Sequence, residues 1–150
     1  MLNNRSLIAP SQTNVAGVSC YKFQSFSDPR GTLSFGEFNR QIPFTPQRYF
    51  IIYDVQNNSK RGEHAHLQCY QFLMCIKGSC SLKVDDGSNS QILRLDSPEE
   101  GFLIPPLVWG EQYAFTDDAV LLVFASHFYD ENDYISEYSK FIKITKEKLS

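Results

Sequence analysis

Short apolar runs alternate with clusters of turn-forming residues from Tyr21 to about Phe124. The runs are rich in Phe, Tyr, Val, Ile and Leu, which favour strands over helices. Short strands at this spacing are typical of all-β sandwiches and barrels. The predicted strands cover residues 47–55, 68–76, 80–84, 91–95, 101–104 and 119–125. The last two are almost continuously apolar, so we expect them to be buried.

Two turn sequences punctuate this pattern. Residues 28–31 (DPRG) form one, and residues 85–87 (DDG) form the other, between the predicted strands 80–84 and 91–95. A glycine at the tight position of a short turn is the usual signal for a hairpin. We therefore predict that these two strands pair antiparallel.

The two ends of the chain differ from its middle. Residues 129–135 carry acidic side chains of the kind that favour a helix N-terminus, and Tyr138, Phe141 and Ile142 follow at helical spacing. One or two short helical turns are therefore predicted to end the domain. Residues 1–15 are polar and predict an extended arm, either frayed or used across a subunit interface.

Length and charge restrict the class of protein. A chain of 150 residues has the common size of one domain, so we expect a single domain over residues 1–150. The net charge is −3 and the pI about 5.6, which gives no basic face for a nucleic acid. A polyanion is not the expected partner.

The cysteines and the first residues of the chain indicate the cellular compartment in which the protein works. The four cysteines, Cys20, Cys69, Cys75 and Cys80, include no CxxC pair, so we expect reduced and mostly buried thiols. The chain starts without a basic and apolar signal, and no run approaches the roughly 20 apolar residues of a membrane span. We expect a cytoplasmic protein without membrane contact.

The strongest chemical signal is a pair of histidines in residues 61–66 (RGEHAH). Alternate residues of a strand point to the same side, so His64 and His66 should enter one space with backbones roughly 7 Å apart. Gln71 and Gly78 follow at the spacing HxH(x)4E(x)6G, with Gln in place of Glu. This pattern resembles the first motif of the cupins.

The second cupin motif brings a further histidine after a proline-rich turn, but the matching residues 104–110 (IPPLVWG) end on Gly110. Metal-binding cupins use three histidines and one glutamate. Two imidazoles and one amide oxygen hold a divalent ion poorly, so we expect neither a metal nor another cofactor. Imidazole titrates near neutral pH, which makes His64 and His66 candidates for acid–base catalysis.

Further stretches narrow the resemblance. They are residues 30–33 (RGTL), 42–44 (IPF), 48–52 (RYFII), 78–80 (GSC), 95–98 (LDSP), 106–109 (PLVW) and 125–135 (ASHFYDENDYI). In this order, and together with RGEHAH, they resemble the WxcM-like sugar isomerases, which are cupin-type 3,4-ketoisomerases of dTDP-4-keto-6-deoxyglucose. The resemblance implies an all-β fold, a cupin or jelly-roll β-barrel with a short C-terminal helical tail.

The resemblance also implies a reaction. A proton leaves sugar C3, an enediol(ate) forms, and a proton returns at C4, so that the ketone moves from C4 to C3. One histidine acts as the base while the other moves a proton between the two oxygens, and which does which stays open. The product would be aminated to a 3-amino-3,6-dideoxyhexose for surface polysaccharides, including the O-antigen of lipopolysaccharide.

Candidate substrate-binding residues follow from the same resemblance. Arg48 and Arg61 are candidates for the diphosphate, since a guanidinium matches phosphate oxygens. Arg30 is a candidate for the sugar, and Gln71 for orienting a histidine or binding the sugar.

Tyr53 and Trp109 are candidates for stacking on thymine or lining the pocket, with a plain core role as the alternative. Gly110 lies beside the expected sugar position. Phe50 and Gly110 depart from the family pattern, in which many members have a tyrosine and a histidine or arginine at these positions. Each departure removes a polar group, which leaves the epimer formed at C4 unpredicted.

Three other functions remain open at this point. The chain could be a sugar-nucleotide-binding cupin without catalysis, a dTDP-sugar 3,5-epimerase, or a metal-dependent cupin such as a dioxygenase. A homodimer is the expected assembly, because a symmetric pair can cover an edge strand and the N-terminal arm.

Overall fold

The computed structural model describes residues 8–56 and 58–150. Its strands, in chain order, are β1 (Ser11–Gln12), β2 (Ser19–Lys22), β3 (Gln24–Asp28), β4 (Gly31–Phe35), β5 (Arg48–Tyr53), β6 (Arg61–His66), β7 (Gln71–Lys77), β8 (Cys80–Asp85), β9 (Ser90–Leu95), β10 (Glu100–Ile104), β11 (Trp109–Tyr113), β12 (Val120–Ala125) and β13 (Tyr134–Ile135). A 3₁₀ turn (Glu131–Asp133) precedes β13, and one α-helix, α1 (Tyr138–Leu149), follows it.

Two antiparallel sheets form the body of the protein. One has the strand order β1-β2-β10-β7-β12-β5, and the other has the order β13-β6-β11-β8-β9. The third sheet is the hairpin β3-β4. The predicted all-β jelly roll is confirmed, but within the described residues its two main sheets are not closed into one hydrogen-bonded barrel.

The core lies between the two main sheets. Leu73, Leu121 and Val123 of the six-stranded sheet and Leu82 and Val84 of the five-stranded sheet belong to one buried apolar cluster. Complete burial of each such side chain contributes roughly 1.5–3 kcal/mol. The core therefore fixes the faces of β7, β8 and β12, and with them the direction in which polar residues on the same faces point.

The predicted hairpin is confirmed. β8 pairs antiparallel with β9, with Val84 opposite Gln91. The turn begins one residue later than its sequence suggested, because Asp85 is still paired with Ser90. The carboxylate of Asp86 accepts hydrogen bonds from the backbone N–H groups of Ser88 and Asn89, both at 2.8 Å, and thereby closes the turn.

The helical tail is longer than predicted. The acidic residues form a separate 3₁₀ turn, in which Asp130 is the N-cap. The α-helix begins only at Tyr138 and has 12 residues. Its length follows from packing, since the fully buried Phe141 contacts a second apolar cluster with Ala65, Trp109 and Ile135.

Part of the predicted N-terminal arm is folded. Its residues 1–7 lie outside the described part of the chain, whereas β1 pairs with β2 and Val15 is 1% exposed. Residues 11–15 therefore belong to the folded body. All four cysteines are free thiols, and Cys69, Cys75 and Cys80 are buried, as predicted. None of the described helices has the length and apolar character needed to cross a bilayer.

Candidate active site

The strand that carries the two histidines is bent just before them. Gly62 and Glu63 have φ angles of +79° and +59°, and the pairing of β6 with β11 shifts register between Gly110 and Glu111. Such a bulge redirects the side chains that follow it. The imidazole rings of His64 and His66, which follow the bulge, lie together with centroids 4.9 Å apart and planes nearly perpendicular, as the alternation along β6 predicted.

A carboxylate from the C-terminal segment holds one of these rings. Oδ2 of Asp133 lies 2.9 Å from Nδ1 of His66, and Oδ1 accepts the backbone N–H of Gln68 at 2.7 Å. An ionised carboxylate only accepts hydrogen bonds, so Nδ1 of His66 carries the proton and Nε2 presents a lone pair. Nε2 is buried and has no hydrogen-bond partner among the described residues.

Both histidines are held in the neutral form at neutral pH. Burial, reinforced by the neighbouring His64, lowers the pKa of His66 to about 4, although the hydrogen bond to Asp133 acts in the opposite direction. Burial likewise lowers the pKa of His64, opposed by a hydrogen bond to the Gly62 backbone and assisted by the positive charge of Arg48. Neutral imidazoles can accept a proton at once.

His64 faces a cavity of about 210 Å³, which we call the open cavity. It is lined by Arg48, Phe50, Ile52, Arg61, Gly62, His64, Gln71, Leu73, Gln112, Val123, Tyr129 and Tyr134. His66 lies behind it, in a much smaller space that we call the inner pocket. The inner pocket is lined by His64, His66, Cys69, Gln71, Ile104, Pro105, Val108, Gly110 and Gln112.

Tyr134 joins the histidines to an arginine. β13 places Tyr134 directly opposite His66 in the sheet, and its ring centroid is 4.9 Å from that of His64 and 4.4 Å from that of His66. Its hydroxyl oxygen accepts a hydrogen bond from Nη1 of Arg48 at 3.4 Å. The guanidinium of Arg48 also lies 5.6 Å from the ring centroid of Phe50.

Arg48 and Arg61 are available to an anion. Both line the open cavity, and neither forms an ion pair with a carboxylate in the described part of the chain. Two unpaired guanidinium groups at one cavity create a positive field, which favours a phosphate-bearing ligand.

Of the other predicted site residues, Gln71 and Gly110 lie at the site. Gln71 is 6% exposed and lines both spaces. Gly110 pairs with His64 across the sheet and lines the inner pocket. A Cβ atom built on Gly110 would meet only Ile104 Cδ1 at 3.6 Å and Gln112 Nε2 at 3.9 Å, so packing alone does not require a glycine there.

Trp109 and Tyr53 line neither space, and Trp109 has the core role that the sequence left open as its alternative. Trp109 is 4% exposed, packs against Phe141 and donates its Nε1–H to Glu111 at 3.1 Å. It points away from the histidines because its neighbour Gly110 points toward them. Tyr53 is 62% exposed and does not line the open cavity, because its neighbour Ile52 occupies the inward-facing position of β5.

Arg30 does not reach the open cavity of its own chain. It lies at the tip of the hairpin β3-β4, where its exposed guanidinium pairs with Asp28 at 2.7 Å. The hairpin forms a sheet of its own, so no strand pairing carries Arg30 toward the histidines.

Three residues of the site were not singled out from the sequence: Asp133, Tyr134 and Gln112. Asp133 and Tyr134 stand within the segment that resembles the family, but nothing local connects them to β6. Gln112 could have been predicted from the sequence, since it lies two positions beyond Gly110 on the same strand and therefore on the same face.

One group of described residues offers three potential metal ligands. Donor atoms of His66, Cys69 and Asp133 all lie within 4.8 Å of one another. Both oxygens of Asp133 already accept hydrogen bonds, one at His66 and the other at Gln68. These bonds account for the arrangement of the group, and the absence of a metal stays a prediction for elemental analysis.

Comparison with known proteins places this arrangement in a family. The model of the family described as "FdtA: WxcM-like, C-terminal" matches residues 16–146. The TDP-4-oxo-6-deoxy-alpha-D-glucose-3,4-oxoisomerase of Aneurinibacillus thermoaerophilus is 43% identical over 121 residues, which cover 81% of this chain and 87% of that protein.

Comparison with solved structures points to the same family. The sugar 3,4-ketoisomerase QdtA from Thermoanaerobacterium thermosaccharolyticum, in complex with TDP, has a TM-score of 0.86 at 36% identity, covering 90% of this chain and 98% of that chain. The TDP-quinovose 3,4-ketoisomerase WlaRB from Campylobacter jejuni has a TM-score of 0.82 at 35% identity, covering 86% of this chain and 99% of that chain. The chain therefore belongs to the WxcM-like FdtA family.

Proposed function

We propose that this chain moves the keto group of a TDP-linked 4-keto-6-deoxyglucose from C4 to C3, with His64 and His66 transferring the protons. The chain is an isomerase of the 3,4-keto type. The observation that carries the mechanism is a pair of neutral, contacting imidazoles, both at the inner pocket and one of them, His64, also at the open cavity. The reaction changes no overall oxidation state, so proton transfer alone is sufficient.

His64 is the better placed of the two for the carbon atoms. It lines the open cavity, whereas His66 lines only the inner pocket. In the proposed reaction, His64 removes the proton from C3, and the C3–H electrons form the C3–C4 double bond of an enediolate. The same imidazolium then returns a proton to C4, which leaves the ketone at C3.

The oxygen atoms on C3 and C4 require a second proton transfer. The hydroxyl proton on the C3 oxygen must leave and the C4 oxygen must gain one, so a group that both accepts and donates is required. His66 is suited to this role because Asp133 fixes the proton on Nδ1 and leaves the lone pair of Nε2 free. Asp133 acts as a positioning residue, since it bonds to His66 and not to the substrate.

The nucleotide end is assigned to the arginines. Arg48 and Arg61 line the open cavity without a carboxylate partner in the described part of the chain, so we propose that they bind the diphosphate. Gln71, buried between the two spaces, is proposed to orient His64 or to bind the sugar.

NMR of the reaction in deuterated water tests the proposal. We expect the ketone signal to move from C4 to C3, with deuterium entering at these carbons. His64→Asn should abolish this change, and His66→Asn should reduce it strongly, while affinity for TDP stays nearly unchanged. His127→Asn is the matched control, because His127 is exposed and does not line either space. Wild-type rates in both site variants would refute the assignment.

The same spectra decide between the alternatives. Exchange at C5 would indicate a 3,5-epimerase, and binding without any exchange would indicate a sugar-nucleotide-binding protein. Phe50 motivates the second alternative, because it lines the open cavity without a hydroxyl group. The epimer formed at C4 is read from the proton coupling constants of the product.

We propose further that the chain is a single cupin domain that forms a homodimer. β5 is the last strand of its sheet, and its outward side chains Tyr49, Ile51 and Tyr53 are 66%, 43% and 62% exposed. On the hairpin β3-β4, Leu33 is 60% exposed. Apolar side chains grouped at a sheet edge favour contact with a second copy. Light scattering should give the mass of a dimer, and Ile51→Glu should shift it toward the monomer.

The dimer bears on Arg30. Since Arg30 does not line the cavity of its own chain, it can contact the sugar only where the hairpin reaches a second copy. Arg30→Ala tests this by its effect on kcat/KM. We also propose that the product, a 3-keto sugar, is consumed by an aminotransferase for surface polysaccharides such as O-antigen, and that the enzyme works in the cytoplasm, where its four free thiols would stay reduced.

A further inference from the structure

Gln112 is a buried polar residue that the mechanism above does not use. Its side chain is 6% exposed, and its amide forms no hydrogen bond with any other described residue. It lines both the open cavity and the inner pocket, as Gln71 does. Among the described residues the buried side-chain atom without a partner is His66 Nε2, so the amide of Gln112 is not cut off from the spaces that it lines. Its donor and its acceptor are therefore available to a ligand in either space.

The amide lies against the bulge in β6. A Cβ atom built on Gly62 would lie 2.9 Å from Oε1 and 3.1 Å from Nε2 of Gln112. Gly62 also has a φ of +79°, which L side chains rarely adopt. The same Cβ atom would lie 2.9 Å from the backbone oxygen of Gly110, so a glycine at position 62 serves both the strand contact and the close approach of the Gln112 amide.

Gly110 leaves the other side of the amide open. Nε2 of Gln112 is 3.9 Å from the position of a Cβ on Gly110, and the other atom close to that position is Ile104 Cδ1. Gly110 pairs with His64, so a longer side chain at this position would stand beside the imidazole, in front of the amide. The glycine thus exposes Gln112 to whatever occupies the space next to the histidine.

We infer that Gln112 binds the hexose of the substrate, with its amide hydrogen-bonded to a sugar oxygen in the space that Gly110 leaves beside His64. Gln112 thereby supplies, from two positions further along β11, a polar group that position 110 lacks. The amide can donate to a ketone oxygen and accept from a hydroxyl group, so it suits both neighbouring carbons of the reaction. This inference rests on the proposed function and names a further residue of the same site.

Gln112→Met tests the inference, since methionine has nearly the same length but no amide. We expect kcat/KM for the TDP-sugar to fall about tenfold or more, while affinity for TDP alone changes less than twofold. Gln91→Met on β9 is the matched control, because Gln91 lies on the edge strand of the same sheet, two strands away from β11, and does not line either space. Thermal unfolding of each variant shows that it is folded.

A binding measurement separates this inference from the proposed function. In the His64→Asn background, calorimetry compares the TDP-sugar with TDP, with and without Gln112→Met. Loss of affinity for the TDP-sugar alone supports the sugar contact, even if the wild-type chain fails to isomerise its substrate. Equal loss for both ligands, or no loss for either, overturns it. Gln112→Glu, which keeps an acceptor but loses the donor, tells which of the two the sugar oxygen needs.

Discussion

The buried His66 should make the fold sensitive to acid. Its pKa falls from the ordinary value of 6.5 to about 4 in the folded chain, because burial disfavours the imidazolium. In the unfolded chain the imidazole titrates normally. Between these two pKa values the unfolded state binds a proton that the folded state does not bind. The free energy of unfolding therefore decreases as the pH falls. Above about pH 6.5 this effect is absent.

The size of the effect follows from the two pKa values. The complete difference corresponds to about 3 kcal/mol, of which about 2 kcal/mol is lost by pH 5. Domains of this size have total stabilities of roughly 5–15 kcal/mol, so the loss is measurable. His64, with a pKa lowered in the same direction, adds to it.

Urea unfolding at pH 8, 6 and 5 measures this loss. The wild-type chain should lose at least about 2 kcal/mol between pH 8 and pH 5. In His66→Asn the same change of pH should cost about 2 kcal/mol less, whatever the stability of the variant at pH 8. His127→Asn, which removes an exposed histidine, controls for the loss of an imidazole. Parallel pH profiles for the wild type and His66→Asn would show that His66 is not held neutral by burial, and the argument would fail.

Three further changes have defined outcomes. Asp133→Asn places an amide against His66 Nδ1, which allows the other tautomer of the imidazole. In steady-state assays kcat should therefore fall roughly 10²- to 10⁴-fold, while calorimetry should show little change in the affinity for TDP. Phe141→Ala removes a fully buried ring and should cost about 3–5 kcal/mol in urea unfolding; a smaller cost than 1 kcal/mol would refute its role in the core. Arg48→Met should weaken TDP binding by about tenfold, and an unchanged Kd would exclude a phosphate contact.

The part of the site that was predictable from sequence is the part that depends on neighbours along the chain. The period of two along a strand placed His64 and His66 together, and it needed no knowledge of other strands. The bulge at Gly62 did not disturb this, because it precedes both histidines. The contact of His66 with Asp133 spans 67 positions, and strand pairing across such a distance is set by the whole core rather than by local sequence.

Tyr53 and Trp109 line neither space, and the sequence did not show this because it does not tell which side of their strands faces inward. The sequence of β5 is apolar on both faces, so its hydrophobicity does not tell which alternate residues point inward. At β11 the alternation was available, since adjacent residues of a strand face opposite sides and Trp109 and Gly110 could not both line the pocket. The sequence did not show which of the two side chains points inward. The helix α1 determines this, because its Phe141 covers Trp109.

The same alternation explains how position 110 can lose its polar side chain without leaving the pocket wholly apolar. Residues 110 and 112 face the same side of β11, and β6 approaches that side with a glycine at 62. A group removed at the first position can therefore be replaced from the second, provided that Gly62 leaves room for it. Gly62→Ala should then reduce kcat/KM, because its Cβ atom would displace the Gln112 amide and would also press on the Gly110 backbone oxygen. The part that acts through the amide should be absent in the Gln112→Met background, so the reduction should be smaller there. Equal reductions in both backgrounds would mean that Gly62 serves the backbone of β6 alone.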